Sequence, residues 1–582
     1  MLLKLKPYWQ ALPDILTYQL ISKPLIGLWI YLLGRITQVL LKSTGRVAIT
    51  SGDFAFLFKT WQGYLILLVG LLSLLIYVAF DLNTKIVMGR KLVTGEKQSV
   101  WKSMDEGFRS ISALISVRGL LVALYLALVA PILGFGVSIS LTEGLYIPTF
   151  IASVIAENKL YLILVSFLML VFLSVGIANL FILHGIVIDK MTVKEASKQS
   201  GKLIHENWKD YLKQNVLYIC VMAVVLAIIV AVALVLPLNI IQALPISTEA
   251  KRILTISFIL LGSVISLMAD LLATPLYMMK MTQLFYSYKD GAPKEYPSRE
   301  AKKHPLVIAA VVAAAVMMVV VAVWMNSNFD RLFPTDTSTK IIAHRGGGEE
   351  GAENTVAGIN AACEAGAYGS EIDIQRTKDG AYVLLHDSNF KRVAGDKRKP
   401  AEMTLKQIRE LSVDGEPIPT FEEALAASKG RIILFVELKG DSADKEMADY
   451  TAKTIRENGM ETECVVISLK YDLIDYIEKQ YPDIQTGFLL FASFGATDRL
   501  NCDYLGMEEE SVSENAVSGA HDQNKKLLVW TPNDKESQKH FICSSADGLI
   551  TDKVVQAVKI KKELKERNDF QRIVDRILTI VS

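Results

Sequence analysis

The sequence has almost no net charge and few cysteines, and both features restrict the functions that the protein can have. Lys and Arg number 62 against 61 Asp and Glu, so the formal net charge is +1 at pH 7. Without a basic excess the chain has no global field to attract nucleic acid, and we expect no such partner. The five cysteines form no Cys-x-x-Cys pair and no zinc-ligand spacing. We expect buried free thiols, with a Cys502–Cys543 disulfide as the alternative if that region is extracytoplasmic.

The N-terminus also lacks a small-residue cleavage site of the signal-peptide type, so we expect it to be retained uncleaved. What the chain has in excess is apolar sequence. Hydrophobic residues make up 51% of its 582 residues, and the mean hydropathy is +0.32. A chain of this length exceeds one domain, and this composition is too apolar for an ordinary soluble enzyme. Part of the protein is therefore expected in lipid.

Long uncharged runs identify that part, because a membrane-spanning helix needs about 20 apolar residues. We predict seven spans, near 18–41, 61–80, 119–140, 160–183, 216–243, 254–279 and 306–325. The first is the weakest, since Lys23 and Arg35 interrupt it. Asp270 is the one acidic residue deep in an apolar run, and it is either a functional membrane carboxylate or a neutral, hydrogen-bonded structural residue.

Positive charge alternates between the connecting loops. The loops 81–118, 184–215 and 280–304 carry seven, six and six Lys and Arg residues. Those at 42–60, 141–159 and 240–253 carry three, one and two. Because cytoplasmic loops retain positive charge, the first set is assigned to the cytoplasm. The prediction is a multi-pass cell-membrane protein with a cytoplasmic N-terminus and everything after Met325 extracytoplasmic.

After a polar linker, predicted at 326–339, the composition becomes that of a soluble α/β protein. Eight short apolar runs alternate with amphipathic stretches, which is typical of βαβ units around a parallel sheet. The predicted strands are 340–344, 369–374, 431–437, 463–468, 484–490, 503–506, 526–530 and 547–550. Eight such units in about 245 residues fit a TIM barrel. The chain is thus multi-domain, with an all-α polytopic membrane domain at 1–325 and an α/β TIM barrel at 340–582.

Polar residues follow these strands at their carboxyl ends, where barrel active sites lie. Glu371 and Asp373 are two apart on one strand, so their carboxylates point the same way, and Glu437 ends the next barrel strand. Three converging carboxylates repel one another unless a cation lies between them, and all-oxygen ligands suit Ca²⁺ or Mg²⁺. Arg345 and Lys439 then offer positive groups for a phosphodiester.

Two histidines also stand at these positions, His344 after the first strand and His386 after a predicted hairpin, Tyr382–Asp387. A pair of histidines is what acid–base displacement at phosphorus requires. The hairpin and the loop as far as Thr420 are expected to form an insertion beside the active site.

These residues resemble the glycerophosphodiester phosphodiesterase family, and the hydrophobic first half is similar to the membrane domain of some bacterial members. The resemblance covers about residues 338–565. The motifs that carry it are His-Arg-Gly at 344–346, Glu-Asn-x-Thr from 353, Glu-Ile-Asp at 371–373, His-Asp at 386–387, Glu-Leu-Lys at 437–439, Trp-Thr at 530–531 and Gly-Leu-Ile-Thr-Asp at 548–552. Ala352 and Pro532 depart from the family pattern, which bears on loop shape and substrate preference.

The resemblance implies a role for each site residue. His344 and His386 would be the general acid and base, in an order the sequence leaves open, and one divalent cation, Ca²⁺ or Mg²⁺, would be held by Glu371, Asp373 and Glu437. Arg345 and Lys439 would clamp the phosphate, and Trp530 would line the glycerol end. Glu353, Asn354 and Asp387 would support the site.

The expected reaction is metal-dependent hydrolysis of a glycerophosphodiester to glycerol 3-phosphate and an alcohol at the extracytoplasmic membrane face. Two alternatives stay open within enzymes: a lysophospholipase D-like activity on lipid headgroups, and hydrolysis of polyglycerol phosphate. A third alternative makes the membrane half a transporter or sensor, with the barrel as its accessory module. The sequence leaves open the oligomeric state.

Overall fold

The computed structural model describes residues 6–46, 48–50, 55–96, 99–114, 119, 155–156, 158–291, 305–334, 338–491, 493–495 and 497–581. The chain divides into two compact units. The first comprises Met1–Ile36 and Thr60–Asn326, and the second comprises Thr37–Lys59 and Ser327–Ser582.

Up to residue 334 the described chain is helical, apart from the short strand β1 (Ala48–Thr50). The helices are α1 (Lys6–Lys42), α2 (Ala55–Lys59), α3 (Trp61–Thr94), α4 (Val100–Arg109), α5 (Lys159–Ala178), α6 (Ile182–Ile188), α7 (Val193–Val230), α8 (Leu236–Ala243), α9 (Thr248–Asp290), α10 (Pro305–Ser327) and α11 (Phe329–Leu332). A π-helical turn, Ala231–Val235, joins α7 to α8. Hydroxyl side chains cap the starts of α3, α4 and α7, as helix N-termini favour.

Five helical stretches of the described chain are long and apolar enough to cross a membrane: Ala11–Lys42, Trp61–Thr94, Lys159–Ile188, Val193–Ala243 and Thr248–Asp290. They contain five of the seven predicted spans, including the weakest. Val312–Ser327 is a shorter apolar helix within the predicted span 306–325. The predicted span 119–140 lies outside the described residues.

Apolar side chains cover the outside of these helices. On α5, Ile163, Phe167 and Leu170 are more than half exposed. Such exposure is costly in water and appropriate in hydrocarbon, where only a helix with satisfied backbone groups is stable. Asp270 on α9 is exposed and has no hydrogen-bond or ion-pair partner in the part of the chain that the structure describes.

The strands of the second unit, after β1, are β2 (Lys340–Ala343), β3 (Gly369–Arg376), β4 (Tyr382–Leu384), β5 (Ser412–Val413), β6 (Glu416–Pro417), β7 (Ile433–Leu438), β8 (Cys464–Ser468), β9 (Gln485–Leu490), β10 (Ser493–Gly495), β11 (Tyr504–Glu508), β12 (Lys526–Trp530) and β13 (Gly548–Thr551). Eight of them pair in parallel, in the order β2-β13-β12-β11-β9-β8-β7-β3. A further parallel pairing of Ile342 with Gly369 closes the ring. The predicted TIM barrel is confirmed, and each of its eight strands begins and ends within two residues of its predicted bounds.

Seven helices alternate with these strands, as predicted: α12 (Val356–Glu364), α15 (Phe421–Ser428), α16 (Lys445–Glu457), α17 (Tyr471–Gln480), α18 (Glu514–Asp522), α19 (Lys535–Cys543) and α20 (Val554–Lys565). Short 3-10 turns are Ser110–Leu114 in the first unit and Gly348–Glu350, Pro400–Glu402, Thr497–Arg499 and Glu509–Ser511 in the second. The barrel interior is filled by inward side chains such as Ile342, Phe435 and Leu489, so the open end of the barrel is a shallow mouth and the barrel has no central pore.

The segment between β4 and α15 is the predicted insertion. It contains α13 (Lys391–Ala394), α14 (Leu405–Ile408) and the β5–β6 hairpin. It encloses a small core of its own, whose fully buried members include Val383, Phe390 and Met403. The insertion is therefore a packed element beside the mouth.

Two further segments belong to the second unit. β1 pairs antiparallel with β10, in the connection after the fifth barrel strand, with Thr50 opposite Ser493. A final helix, α21 (Asp569–Val581), places the Arg572 guanidinium over the ring of Phe329, and Arg572 Nε donates to the carbonyl of Phe333 at 2.7 Å. Residues around α11, within the predicted linker, are thus tied to the end of the chain. All five cysteines are free thiols, and Cys464, Cys502 and Cys543 are buried as expected, whereas Cys220 is exposed and Cys363 is half-buried.

Candidate active site

Three carboxylates converge at the carboxyl ends of two neighbouring strands. Glu371 and Asp373 share one face of β3, and Asp373 is the register partner of Glu437 on β7. One ligand oxygen from each residue lies within 4.8 Å of the others, and all three side chains are buried. The sequence predicted this convergence, because the carboxyl ends of parallel strands meet at one edge of the sheet.

The electrostatics of this cluster favour a cation. Burial and the neighbouring charges of Asp373 and Glu437 raise the pKa of Glu371 well above its ordinary value. Burial also raises the pKa of Glu437 to about 7. The Nζ of Lys439 lies 2.8 Å from Asp373 Oδ1 and 2.9 Å from Glu437 Oε2. Although burial opposes it, this ammonium keeps the pKa of Asp373 below its usual range.

One ammonium for three buried carboxylates leaves the cluster short of positive charge. A hard divalent ion bound by oxygen ligands corrects that shortage, so Glu371, Asp373 and Glu437 fit Ca²⁺ or Mg²⁺ chemically.

The loop after β2 supports these carboxylates. The backbone N–H of Arg345 donates to Glu371 Oε2 at 2.7 Å. Asn354 donates to Asp373 Oδ2 at 2.8 Å and accepts the N–H of Asp373 at 3.0 Å. Arg345 and Asn354 both have φ near +50°, a region that non-glycine residues seldom adopt. Strained backbone of this kind is retained where surrounding contacts over-determine it, as they do here.

His344 and His386 face each other across the mouth, with ring centroids 6.3 Å apart. The Nδ1 of His344 lies 2.7 Å from Asp552 Oδ1, and Asn533 donates to the other Asp552 oxygen at 2.6 Å. Although burial opposes it, the bond to His344 lowers the pKa of Asp552 to about 2. The carboxylate therefore accepts, and His344 Nδ1 carries the hydrogen.

His386 is held by the hairpin of β3 and β4. The amide of Gln375 donates to the carbonyls of Leu385 and Asp387, which flank the histidine, at 2.8 and 2.7 Å. The Nδ1 of His386 lies 3.0 Å from Asp387 Oδ1. Its Nε2 lies 3.1 Å from Arg345 Nη2. A guanidinium can only donate, so Nε2 accepts and the ring is neutral here. Burial lowers the pKa of His386, which agrees with that form.

A second arginine organises the outer edge of the site. Arg392, on α13, donates to both carboxylate oxygens of Glu353 at 2.7 and 2.6 Å and to Asp387 Oδ2 at 2.8 Å. Asp387 thus accepts from His386 and Arg392, and these bonds keep its pKa below the usual range. Glu353 is also 3.5 Å from Arg345 Nη1.

Every predicted site residue lies at this mouth. Trp530 ends β12, partly buried and packed against the interior cluster of the barrel. Sequence reasoning gave no role to Asp552, Asn533, Gln375 or Arg392. Asp552 belongs to the Gly-Leu-Ile-Thr-Asp motif at 548–552, at the end of the last barrel strand, and that position was the signal that could have assigned it to the site. Asn533 lies on a loop, Gln375 on β3 and Arg392 in the insertion. Their partners Asp552, Asp387 and Glu353 are 19, 12 and 39 residues away, so local pattern did not reveal them.

Comparison with known families gives two matches. Residues 344–556 match the glycerophosphoryl diester phosphodiesterase family. Residues 5–323, more than half of the chain, match the membrane domain of glycerophosphoryl diester phosphodiesterase. The chain belongs to the glycerophosphoryl diester phosphodiesterase family. This phosphodiesterase is a membrane protein with a TIM-barrel catalytic domain, and its reaction is hydrolysis of a glycerophosphodiester.

Relatives of this phosphodiesterase match the barrel region. The glycerophosphodiester phosphodiesterase of Caldanaerobacter subterraneus subsp. tengcongensis is 29% identical over 228 residues, which are 37% of this chain and 94% of that protein. The glycerophosphodiester phosphodiesterase of Bacillus altitudinis is 25% identical over 248 residues, which are 39% of this chain and 100% of that protein. Among solved structures, one putative phosphodiesterase from Silicibacter pomeroyi has a TM-score of 0.36 and 24% identity, covering 39% of this chain and 95% of its own.

Proposed function

We propose that the barrel converts a glycerophosphodiester to glycerol 3-phosphate and an alcohol, that it requires one divalent cation, and that it works on the extracytoplasmic side of the membrane. One observation carries the chemistry: three buried carboxylates and two histidines converge at one mouth, with Arg345 and Lys439 between them. A phosphodiester is an anion with a poor leaving group, and this arrangement supplies both positive charge and proton transfer.

Glu371, Asp373 and Glu437 would hold the cation. Bound there, Ca²⁺ or Mg²⁺ would offset charge on phosphoryl oxygens and make an oxygen nucleophile more acidic. Arg345 and Lys439 orient the phosphate from either side, and Trp530 lines the glycerol end. The nucleophile is water or the 2-hydroxyl of the substrate's own glycerol.

The two histidines move the protons. One removes the proton of the nucleophile, and the other protonates the departing alcohol. Asp552 and Asp387 each accept from the Nδ1 of one histidine, which leaves the Nε2 of His344 for the substrate. The Nε2 of His386 accepts from Arg345 Nη2 in this structure and would meet the substrate in place of that guanidinium. Each well-placed acid or base contributes roughly 10²- to 10⁴-fold to the rate.

The side of the membrane on which the barrel lies is inferred from the number of predicted spans that precede it. Residues 37–59 belong to the same compact unit as the barrel, which supports placing both on one side. Six predicted spans lie between that segment and the barrel, and an even number returns the chain to the side it left. Alternation of positive charge makes that side extracytoplasmic.

The test uses the full-length protein in detergent, with glycerophosphocholine as substrate and release of glycerol 3-phosphate as readout. We expect activity with Ca²⁺ or Mg²⁺ and its loss with a chelator. His344→Ala or His386→Ala should lower kcat by at least about 10²-fold. His521→Ala is the matched control, because His521 lies on α18 outside the barrel. Near-normal turnover in either site variant would remove that histidine from the mechanism.

A further inference from the structure

A cavity of about 570 Å³ opens beside His386. It is lined by His386, Asp387, Ser388, Asn389, Lys391 and Arg392, all from the segment that follows β4. Its volume is that of a small-molecule site. The catalytic assignments above use His386 with its partners Asp387 and Arg392, whereas Ser388, Asn389 and Lys391 have no role in them.

The charged side chains of the cavity wall differ in whether neighbouring residues already bind them. The Arg392 guanidinium is occupied by Glu353 and Asp387 through four hydrogen bonds. Asp387 is likewise occupied, by Arg392 and His386. The Lys391 side chain is exposed, and its ammonium has no hydrogen bond or ion pair to any residue that the structure describes. The available charge on this wall is therefore the single positive charge of Lys391.

The remaining wall is formed by polar and charged residues, and none of the six lining residues is aliphatic. Ser388 offers a hydroxyl and Asn389 an amide, while the neighbouring Phe390 is fully buried in the core of the insertion. No aromatic side chain other than the imidazole of His386 stands among the six lining residues. A quaternary ammonium group prefers aromatic faces, and an acyl chain prefers an apolar wall. An ammonium with neighbouring hydroxyl and amide donors instead suits phosphate oxygens.

We propose that this cavity takes the alcohol part of the substrate and selects alcohols that carry a second phosphate group, with Lys391 as the residue that determines this specificity. The inference rests on the proposed function, because glycerol at Trp530 leaves the cavity beside His386 for the other substituent of the phosphodiester. The chemistry is shared by a glycerol phosphate chain and by a phosphorylated lipid headgroup.

The test measures kcat/KM of the full-length enzyme for two soluble substrates. One is glycerophosphoglycerol phosphate, whose alcohol is anionic, and the other is glycerophosphocholine, whose alcohol is cationic. We expect wild type to prefer the anionic alcohol. Lys391→Ala should lower the ratio of the two values about 10-fold through KM, as loss of a charge-assisted hydrogen bond does. Lys391→Glu should lower it further, and Lys391→Arg should restore most of it.

Lys397→Ala is the matched control, since Lys397 is an exposed lysine of the same insertion that does not line the cavity. It should leave the ratio unchanged. An equal loss on both substrates in Lys391→Ala, or an unchanged ratio, would overturn the proposal. Hydrolysis of neither substrate by wild type would overturn the proposed function instead. Vesicles containing lysophosphatidylglycerol phosphate, set against soluble glycerol phosphate oligomers, distinguish the lipid from the polymer source.

Discussion

His344 and Asp552 lie 2.7 Å apart, nitrogen to oxygen, although 208 residues separate them in the chain. The contact exists because the first and last barrel strands are neighbours, with Ala343 paired to Thr551. Closure of the barrel therefore creates the pair, and Asn533 fixes the far oxygen of the carboxylate.

Replacing Asp552 should impair catalysis through His344. Asp552→Asn can present its amide N–H to the ring and select the wrong tautomer, so we expect kcat to fall at least about 10-fold. Asp552 is a positioning residue, and a shift in the pH profile of kcat/KM should accompany the loss. In a His344→Ala background the same change should have little further effect, because residues acting as a unit are non-additive. Full additivity would contradict the pairing.

Removing one carboxylate of the cluster should abolish metal binding while the protein still folds. Millimolar Ca²⁺ or Mg²⁺ should raise the unfolding temperature of wild type, since a ligand at 100 times its Kd adds about 2.7 kcal/mol. Glu371→Gln should lose that increase. In chelator it should unfold at the same temperature as wild type or higher, because the raised pKa of Glu371 marks a charge that burial disfavours. Asp522→Asn, on the outer helix α18, is the control, and equal metal responses in all three proteins would contradict the metal site.

Gly348 should be required for the geometry of Asp552. Its φ is +64°, and a Cβ there would meet the backbone carbonyl of Asp552. Gly348→Ala should destabilise the barrel by about 1–3 kcal/mol and lower kcat by displacing Asp552. Gly380→Ala is matched in backbone, with φ +85°, but meets no atom within 4 Å. It should lose stability and keep its kcat, and a similar kcat in both variants would show that the clash is relieved elsewhere.

The predicted sidedness can be measured with a membrane-impermeant maleimide on intact cells. Lys535→Cys, exposed on α19 of the barrel, should react, whereas Lys198→Cys, exposed on α7 in a predicted cytoplasmic loop, should react only after permeabilisation. Labelling of the wild-type protein measures the background from the native cysteines. The reverse labelling pattern would show that the predicted topology is inverted.

The pairing of β1 with β10 predicts a cross-link. Directly opposite residues of antiparallel strands have Cα atoms about 4.5–5.5 Å apart, within disulfide range. Thr50→Cys combined with Ser493→Cys should therefore form a disulfide in an oxidising extracytoplasmic compartment. Thr50→Cys alone is the control, and failure of the double variant to cross-link under oxidation would contradict the pairing.

Strand and helix positions in the barrel were predictable because parallel strands buried on both faces are continuous apolar runs. The carboxylate cluster was predictable for a related reason: Glu371, Asp373 and Glu437 end such runs, and strand ends meet at one edge. The helix α21 was missed, since it is an amphipathic tail after the last repeat unit, and its anchor at Phe333 lies far away in sequence.

By itself, the sequence determined the candidate membrane spans of the described residues, the barrel and the identity of the residues at its mouth, because each depends on local hydrophobic pattern or strand order. Only the tertiary structure decided which carboxylate orients which histidine, that Arg392 occupies Glu353 and Asp387, and that Lys391 is left available beside His386. These are contacts between segments that chain closure and an inserted loop bring together, and no local pattern encodes their distances.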